Sequence, residues 1–120
     1  MIAQVIVMEK IVEQGLLYDF YGELLTDHQK RIYEDVVFND FSLSEIAAEL
    51  GISRQGVHDL VRRCDRILSE YEEKLHLVEK FMKTRQMVEE IQKLTKEYIA
   101  SKDMELIHRI ERISGEIIEL

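Results

Sequence analysis

The sequence predicts an all-α fold: a small helical bundle containing a helix-turn-helix, followed by long C-terminal helices. Three observations carry this. The 120-residue chain is 33% charged, contains no proline and is rich in Glu, Lys, Leu and Ile, all compatible with helix interiors. Its apolar residues return every three or four positions. Sustained alternation of β-branched and polar residues, the mark of half-buried strands, is lacking. The length suits one compact domain with an appended helix.

The segments are expected in this order. Residues 1–7, "MIAQVIV", precede the sequence "MEKIVEQ" and read as a candidate upstream extension, expected to be poorly ordered. They have no basic start and no cleavage motif, so they do not read as a signal peptide. Residues 8–68 form a helical domain with the helix-turn-helix at 42–66. Residues 69–120 form a long helix and a C-terminal helix for dimerisation or partner binding.

The first helix is expected over about Glu9–Leu24, where Val12, Leu16, Phe20 and Leu24 repeat at i+4 beside Leu17 and Tyr21. Thr26 with Gln29 is a capping-box signature that opens a second helix burying Ile32, Tyr33, Val36 and Val37. "FNDF" ends it, with Asn39 and Asp40 as turn formers. Ser42 with Glu45 repeats the capping signature. The third helix turns Ile46, Ala47 and Leu50 inward and stops at Gly51, which takes a positive φ cheaply. Ser53 caps a fourth helix that buries Val57, Leu60 and Val61. Past Ser69, the residues Leu68, Tyr71, Leu75, Val78 and Met82 make a heptad-like seam with charged flanks. A last helix, about Met104–Ile118, carries Ile107, Ile110 and Ile117.

The segment Ser42–Cys64, "SLSEIAAELGISRQGVHDLVRRC", holds the one strong motif. Ile46, Ala47, Leu50, Ile52, Val57 and Leu60 fall where two helices crossing through a tight turn touch, and Ala47 is small where the second helix passes. The outward positions Ser53, Arg54, Gln55, His58, Asp59 and Arg62 are all polar. Such a helix can read base edges in a major groove from its first residues. Gln pairs with adenine and Arg with guanine, whereas Arg62, Arg63 and Arg66 suit phosphates. Gly56 inside the helix costs about 1 kcal/mol relative to alanine.

Charge restricts where nucleic acid can bind. Sixteen basic against 24 acidic residues give a net charge of −8, so the chain as a whole repels polyanions. Residues 1–41 hold 3 basic and 8 acidic residues, 42–66 hold 4 and 4, and 67–120 hold 9 and 12. Any nucleic-acid contact must be local and made by oriented arginines.

Other chemistry is weakly signalled. His28, His58, His76 and His108 lack the i+3 or i+4 pairing of a metal site, so neither metal nor cofactor is expected. Cys64, the only cysteine, excludes an internal disulfide, fits a reducing cytoplasm and reads as a packed apolar thiol. Glu72 and Glu73 point apart on a helix and make no acid/base pair. Tyr18, Phe20, Tyr21, Tyr33 and Phe38 read as core residues. No membrane span is expected.

"LLYDFYGELLTDHQKRIYE" followed by "FSLSEIAAELGISRQGVHDLVRRCDRILSEYEEKLHLVEKF" closely resembles the YlxM family of bacterial proteins, over about Met8 to Phe81. The motifs "YDFYG", "LLT", "SLSEIA", "SRQ" and "YEEKLHL" carry the resemblance. The same region resembles the promoter-reading C-terminal domain of sigma factors. The resemblance implies a cytoplasmic, helical, non-enzymatic protein. It also implies genes usually adjacent to those of the signal recognition particle, hence a regulatory or accessory role there. On this reading Ser53, Arg54, Gln55, His58, Arg62, Arg63 and Arg66 contact DNA. RNA binding and a helix-turn-helix reused for protein contacts stay open as alternatives, with signal recognition particle components as candidate partners. The seam Tyr71, Leu75, Val78 and Met82 is expected to join two chains into a homodimer. The alternative is that the stripe through Ile107, Ile110 and Ile117 folds back on it within one chain.

Overall fold

The computed structural model describes the backbone of residues 2–120 and the side chains of residues 10–120. Six α-helices follow one another: α1 (Ile2–Tyr21), α2 (Asp27–Val37), α3 (Leu43–Leu50), α4 (Arg54–Leu75), α5 (Leu77–Ser101) and α6 (Met104–Ile118), with a 3-10 turn at Gly22–Leu24 after α1. Among the described residues there is no strand. Helix α1 begins at Ile2, so the backbone of residues 2–7, the candidate upstream extension, is included in it. "IAQVIVM" contains no helix breaker. Met1 lies outside the described residues.

The chain divides into two compact units, Met1–His76 and Leu77–Leu120. The expected boundary at 68/69 is corrected to His76. Helix α4 runs unbroken through Ser69 to Leu75, and His76 then takes the left-handed conformation (φ 56) while its N–H caps back onto the Glu72 carbonyl. The apolar spacing from Leu75 to Val78 continues a heptad across this point, so periodicity alone hides the break.

In the first unit, Ile32, Ile46, Ala47 and Val57 form a buried cluster against which Val36, Leu43, Leu50, Leu60 and Val61 pack. Leu17, Tyr21, Leu25, Tyr33, Cys64 and Leu68 are also buried. The buried stripe of α1 is rotated from the expected one. Leu17 and Tyr21 are buried, and Gln14 and Tyr18 are half-buried beside them. Val12, Phe20 and Leu24 are exposed instead. Helix α1 can turn polar residues inward because they find partners. Gln14 Nε2 donates to Asp65 Oδ1 at 3.2 Å, and the Tyr18 hydroxyl donates to Glu34. Gly22 lets the chain pass the Tyr18 ring, since a Cβ there would lie 3.0 Å from it. Phe38, expected in the core, is exposed but keeps tilted contacts with the Tyr18 and Tyr33 rings.

The caps follow local chemistry. Gln29 N–H donates to Thr26 Oγ1 (3.2 Å) and Thr26 N–H to Gln29 Oε1 (3.0 Å), a complete capping box. At α3 the box is half-made: Glu45 N–H donates to Ser42 Oγ (3.1 Å), but Glu45 Oε1 accepts from the serine hydroxyl. Asp103 caps α6 through Glu105 N–H at 3.0 Å. In the second unit α6 packs on α5, with Val78, Leu94 and Ile113 buried.

Candidate nucleic-acid interface

The site is built on the turn between α3 and α4. Gly51 sits at φ 69, a conformation that costs an L-residue with a side chain about 1–2 kcal/mol. Ile52 N–H closes the turn onto the Ala47 carbonyl at 3.1 Å. Ser53 then starts α4, its Oγ accepting from Gly56 N–H at 3.0 Å. Val57, Ile46 and Ala47 are buried together, which seats α4 against α3 as a helix-turn-helix requires. Ile52, expected to face inward, is 42% exposed. It lies in the turn itself, where its Cδ1 flanks Gly56. An alanine Cβ at Gly56 would come within 3.2 Å of the Ser53 Oγ, so glycine gives the capping hydroxyl room.

All seven sequence-predicted residues, Ser53, Arg54, Gln55, His58, Arg62, Arg63 and Arg66, lie on the exposed side of this unit. Arg54, His58, Arg62 and Arg66 recur every four residues, a row of about 18 Å along the helix axis. Leu43, Arg54, Gln55 and His58 line one open cleft, and Asp59, Arg62, Arg63 and Arg66 line a second. A third brings in Lys10 of α1 beside His58, Val61, Arg62 and Asp65. Lys10 was not singled out by sequence reasoning; no local signal relates it to a helix that starts more than forty residues later.

Three acids of α4 accept hydrogen bonds from neutral donors, while Glu70, four residues past Arg66, stands exposed. Asp65 Oδ1 accepts the Tyr33 hydroxyl at 2.7 Å as well as the Gln14 amide. Glu72 Oε1 accepts the Tyr21 hydroxyl at 2.6 Å. Asp59 Oδ1 accepts Gln55 Nε2 at 3.0 Å and lies 4.0 Å from His58 Nδ1. Among the described residues Arg54, Arg62, Arg63 and Arg66 form no ion pair, whereas Arg31, Arg85 and Arg109 each hold a carboxylate. Outside α4 only Arg112 shares this freedom.

Burial pushes the Tyr33 hydroxyl well above the usual phenol range, reinforced by its bond to Asp65. Burial, with Asp65 adding to it, also raises the Cys64 thiol against the opposing pull of Arg63. Among the described residues no three His, Cys, Asp or Glu side chains come together as a metal site would need. No helix among them is long and apolar enough to cross a membrane.

The expected interface residues Tyr71, Leu75, Val78 and Met82 are divided between two helices. The left-handed His76 puts the first two on α4 and the last two on α5. The Tyr71 ring stacks on Tyr21 at 6.1 Å between centroids, so it belongs to the packing of the first unit. Val78 is buried, and only Leu75 and Met82 are exposed.

Comparison with known proteins bears on this geometry. A family described as "Putative helix-turn-helix protein, YlxM / p13 like" matches residues 8–110. A UPF0122 protein of Acetivibrio thermocellus is 40% identical over 116 residues, covering 93% of this chain and 99% of the relative. The UPF0122 protein YofM of Lactococcus lactis is 41% identical over 101 residues, 82% of this chain and 91% of the relative. A UPF0122 protein of Caldanaerobacter subterraneus is 53% identical over 76 residues, 63% of this chain and 65% of the relative. The chain has the helix-turn-helix that the family description names, and it belongs to the UPF0122 family of YlxM/p13-like proteins.

Proposed function

We propose that this protein binds DNA through the exposed row of α4. The observation behind this reading is the unpaired state of Arg54, Arg62, Arg63 and Arg66 in a chain of net charge −8. Surface arginines surrounded by excess carboxylate ordinarily find partners; here Asp65 is occupied by Tyr33 and Gln14, and Asp59 by Gln55. Ser53, Arg54, Gln55 and His58, at the start of α4, are assigned to base edges. Arg62, Arg63 and Arg66 are assigned to phosphates, and Lys10 adds a charge at their edge. Gln55 must exchange its bond to Asp59 for a base.

The test is a titration on random and selected duplexes in low and moderate salt. Arg54→Ala should cost about 1–3 kcal/mol on the selected site and little on random DNA. Arg63→Ala should weaken both alike and reduce the salt slope by about one. If selection enriches no site and wild type fails to bind even in low salt, the reading fails.

We further infer a non-enzymatic regulator or accessory factor of the signal recognition particle pathway in the cytoplasm. The support is the family resemblance, together with a buried, pKa-raised Cys64 that is a poor nucleophile. Co-purification from the native cell tests it. Recovery of DNA, of RNA or of signal recognition particle proteins separates direct regulation from an accessory role, and recovery of none of them rejects the assignment.

A further inference from the structure

The hairpin of α5 and α6 has two unlike sides. Its inner seam is Met87, Ile91, Leu94 and Tyr98 against Leu106, Ile110, Ile113 and Ile117, all half-buried or buried. In two antiparallel right-handed helices, residues one step before the seam on each helix share one side of the pair, and residues one step after share the other. The steps before are Gln86, Glu90, Lys93 and Glu97 on α5, and Glu105, Arg109, Arg112 and Glu116 on α6. This side is charged, and Arg109 bridges Glu90 across it at 3.6 Å.

The steps after the seam are different. Helix α5 contributes Val88, Gln92, Thr95 and Ile99; α6 contributes Ile107, Glu111, Ser114 and Ile118, with Met104 three residues before Ile107. Val88 is 52% exposed, Ile99 65%, Met104 55% and Ile118 81%. Thr95, and Thr84 one turn before Val88, donate their hydroxyls to the carbonyls of Ile91 and Lys80, both at 2.8 Å, so their polar atoms are occupied. Gln92 and Glu111 are the polar members of this side.

We propose that a second copy of this chain covers this face, giving a dimer whose core is a four-helix bundle. This inference is independent of the DNA reading. Three arguments select a second copy. First, a unit of this size, well below about 70 residues, rarely holds itself with one small core and commonly oligomerises; here only Val78, Leu94 and Ile113 are buried. Second, the face is self-complementary. The Glu90–Arg109 bridge and the Tyr98 hydroxyl 4.0 Å from the Met104 sulfur fix which levels of α5 and α6 lie side by side. A two-fold axis parallel to the helices lays α5 over the other copy's α6 in that same register. Val88 then meets Ser114 of the partner subunit, and Thr84 meets Ile118 of the partner subunit, bulky against small. Third, the area is adequate but modest. The 15 residues of α6 span about 22 Å and two helices side by side about 20 Å, a flat footprint of about 450 Å² per copy. Two corrugated copies bury about 1,000 Å², the lower bound for a specific interface.

Sedimentation equilibrium over a micromolar concentration series tests this. The mass should rise with concentration from 14.2 kDa toward twice that value. The double variant Ile99→Glu, Ile118→Glu should weaken association about tenfold or more. Both side chains are mostly exposed, so its helical circular dichroism should be unchanged. Lys93→Glu, on the charged side, should associate as wild type does. A mass that stays at 14.2 kDa overturns the proposal and leaves the face to another kind of partner. Undiminished association of the double variant overturns it too. A nitroxide on Thr95→Cys, with the buried Cys64 out of reach of the label, supplies an independent reading. Dipolar coupling that disappears on dilution with unlabelled chain supports the interface; absence of coupling in associated protein overturns it.

Discussion

Helix α4 of the first unit handles its acids differently from the second unit. In Leu77–Leu120 carboxylates are matched to cations: Glu79 to Lys83, Glu89 to Arg85 and Glu90 to Arg109. In Met1–His76 two acids of α4 accept from neutral donors, Asp65 from Tyr33 and Gln14, and Glu72 from Tyr21. The first arrangement neutralises a surface. The second leaves α4 with unopposed guanidinium groups although the chain is acidic overall. A basic face therefore does not require a basic protein. Here Asp59 and Asp65, on the same helix as the arginines, accept hydrogen bonds from groups without charge.

Three experiments break or sharpen this comparison. The largest effect is expected from Ile46→Ala, which empties the cluster seating α4 on α3 and should cost about 2–5 kcal/mol. Hydrogen exchange should report lost protection in α3 and α4 with α5 and α6 little changed. Equal loss in both units would mean that they unfold as one body.

A middle effect is expected from Tyr33→Phe. Asp65 loses one of its two neutral donors, at a cost of about 1–3 kcal/mol read by denaturant titration. The pH dependence has a definite sign. The folded state raises the Tyr33 phenol above its ordinary value near 10, with burial as the main cause. The neutral phenol therefore contributes stability that is complete below pH 10 and is lost as pH rises above it. Tyr18, raised by burial and its bond to Glu34, acts in the same direction. Above pH 10, Tyr33→Phe should lose stability less steeply than wild type. An equally steep loss would show that the Tyr33–Asp65 bond contributes little.

The smallest effect separates paired from unpaired arginines. Arg85→Ala removes an exposed i,i+4 pair with Glu89 and should cost about 0.3–0.5 kcal/mol, more in low salt. Arg62→Ala has no partner to lose and should leave stability unchanged in either salt. Thermal denaturation at two ionic strengths compares them directly, and a salt-dependent loss at Arg62 would mean that it is paired after all.

Much of the α3–α4 motif was legible because its determinants are local. Gly51, Ser53 and the capping pair Ser42–Glu45 act over three or four residues, and the spacing of Ile46, Ala47 and Val57 reports a short crossing. What was hidden depends on distant partners. Gln14 looks like a surface residue of α1 until Asp65 arrives to accept from it, so the expected stripe ran out to Val12, Phe20 and Leu24, which are exposed. The break at His76 was hidden for a different reason. No glycine marks the left-handed residue, and the apolar spacing passes straight through it. The candidate arginines could be chosen from their outward register, but their freedom from ion pairs could not, because it depends on where Tyr33 and Gln14 stand.

The two phenol–carboxylate bonds on α4 also bear on the entropy of binding. Asp65 and Glu72 are seven residues apart, about two helical turns, and each is tied to a tyrosine from another helix. These two bonds constrain the roll of α4 about its own axis before any ligand arrives. The guanidinium tips are the opposite case. Held by no carboxylate, each gives up about 0.5–1.5 kcal/mol of rotamer freedom when it is immobilised. The site is thus a rigid rail carrying loose fingers. Its register along a ligand is fixed by the protein, while each individual contact is left to be chosen by the surface that it meets.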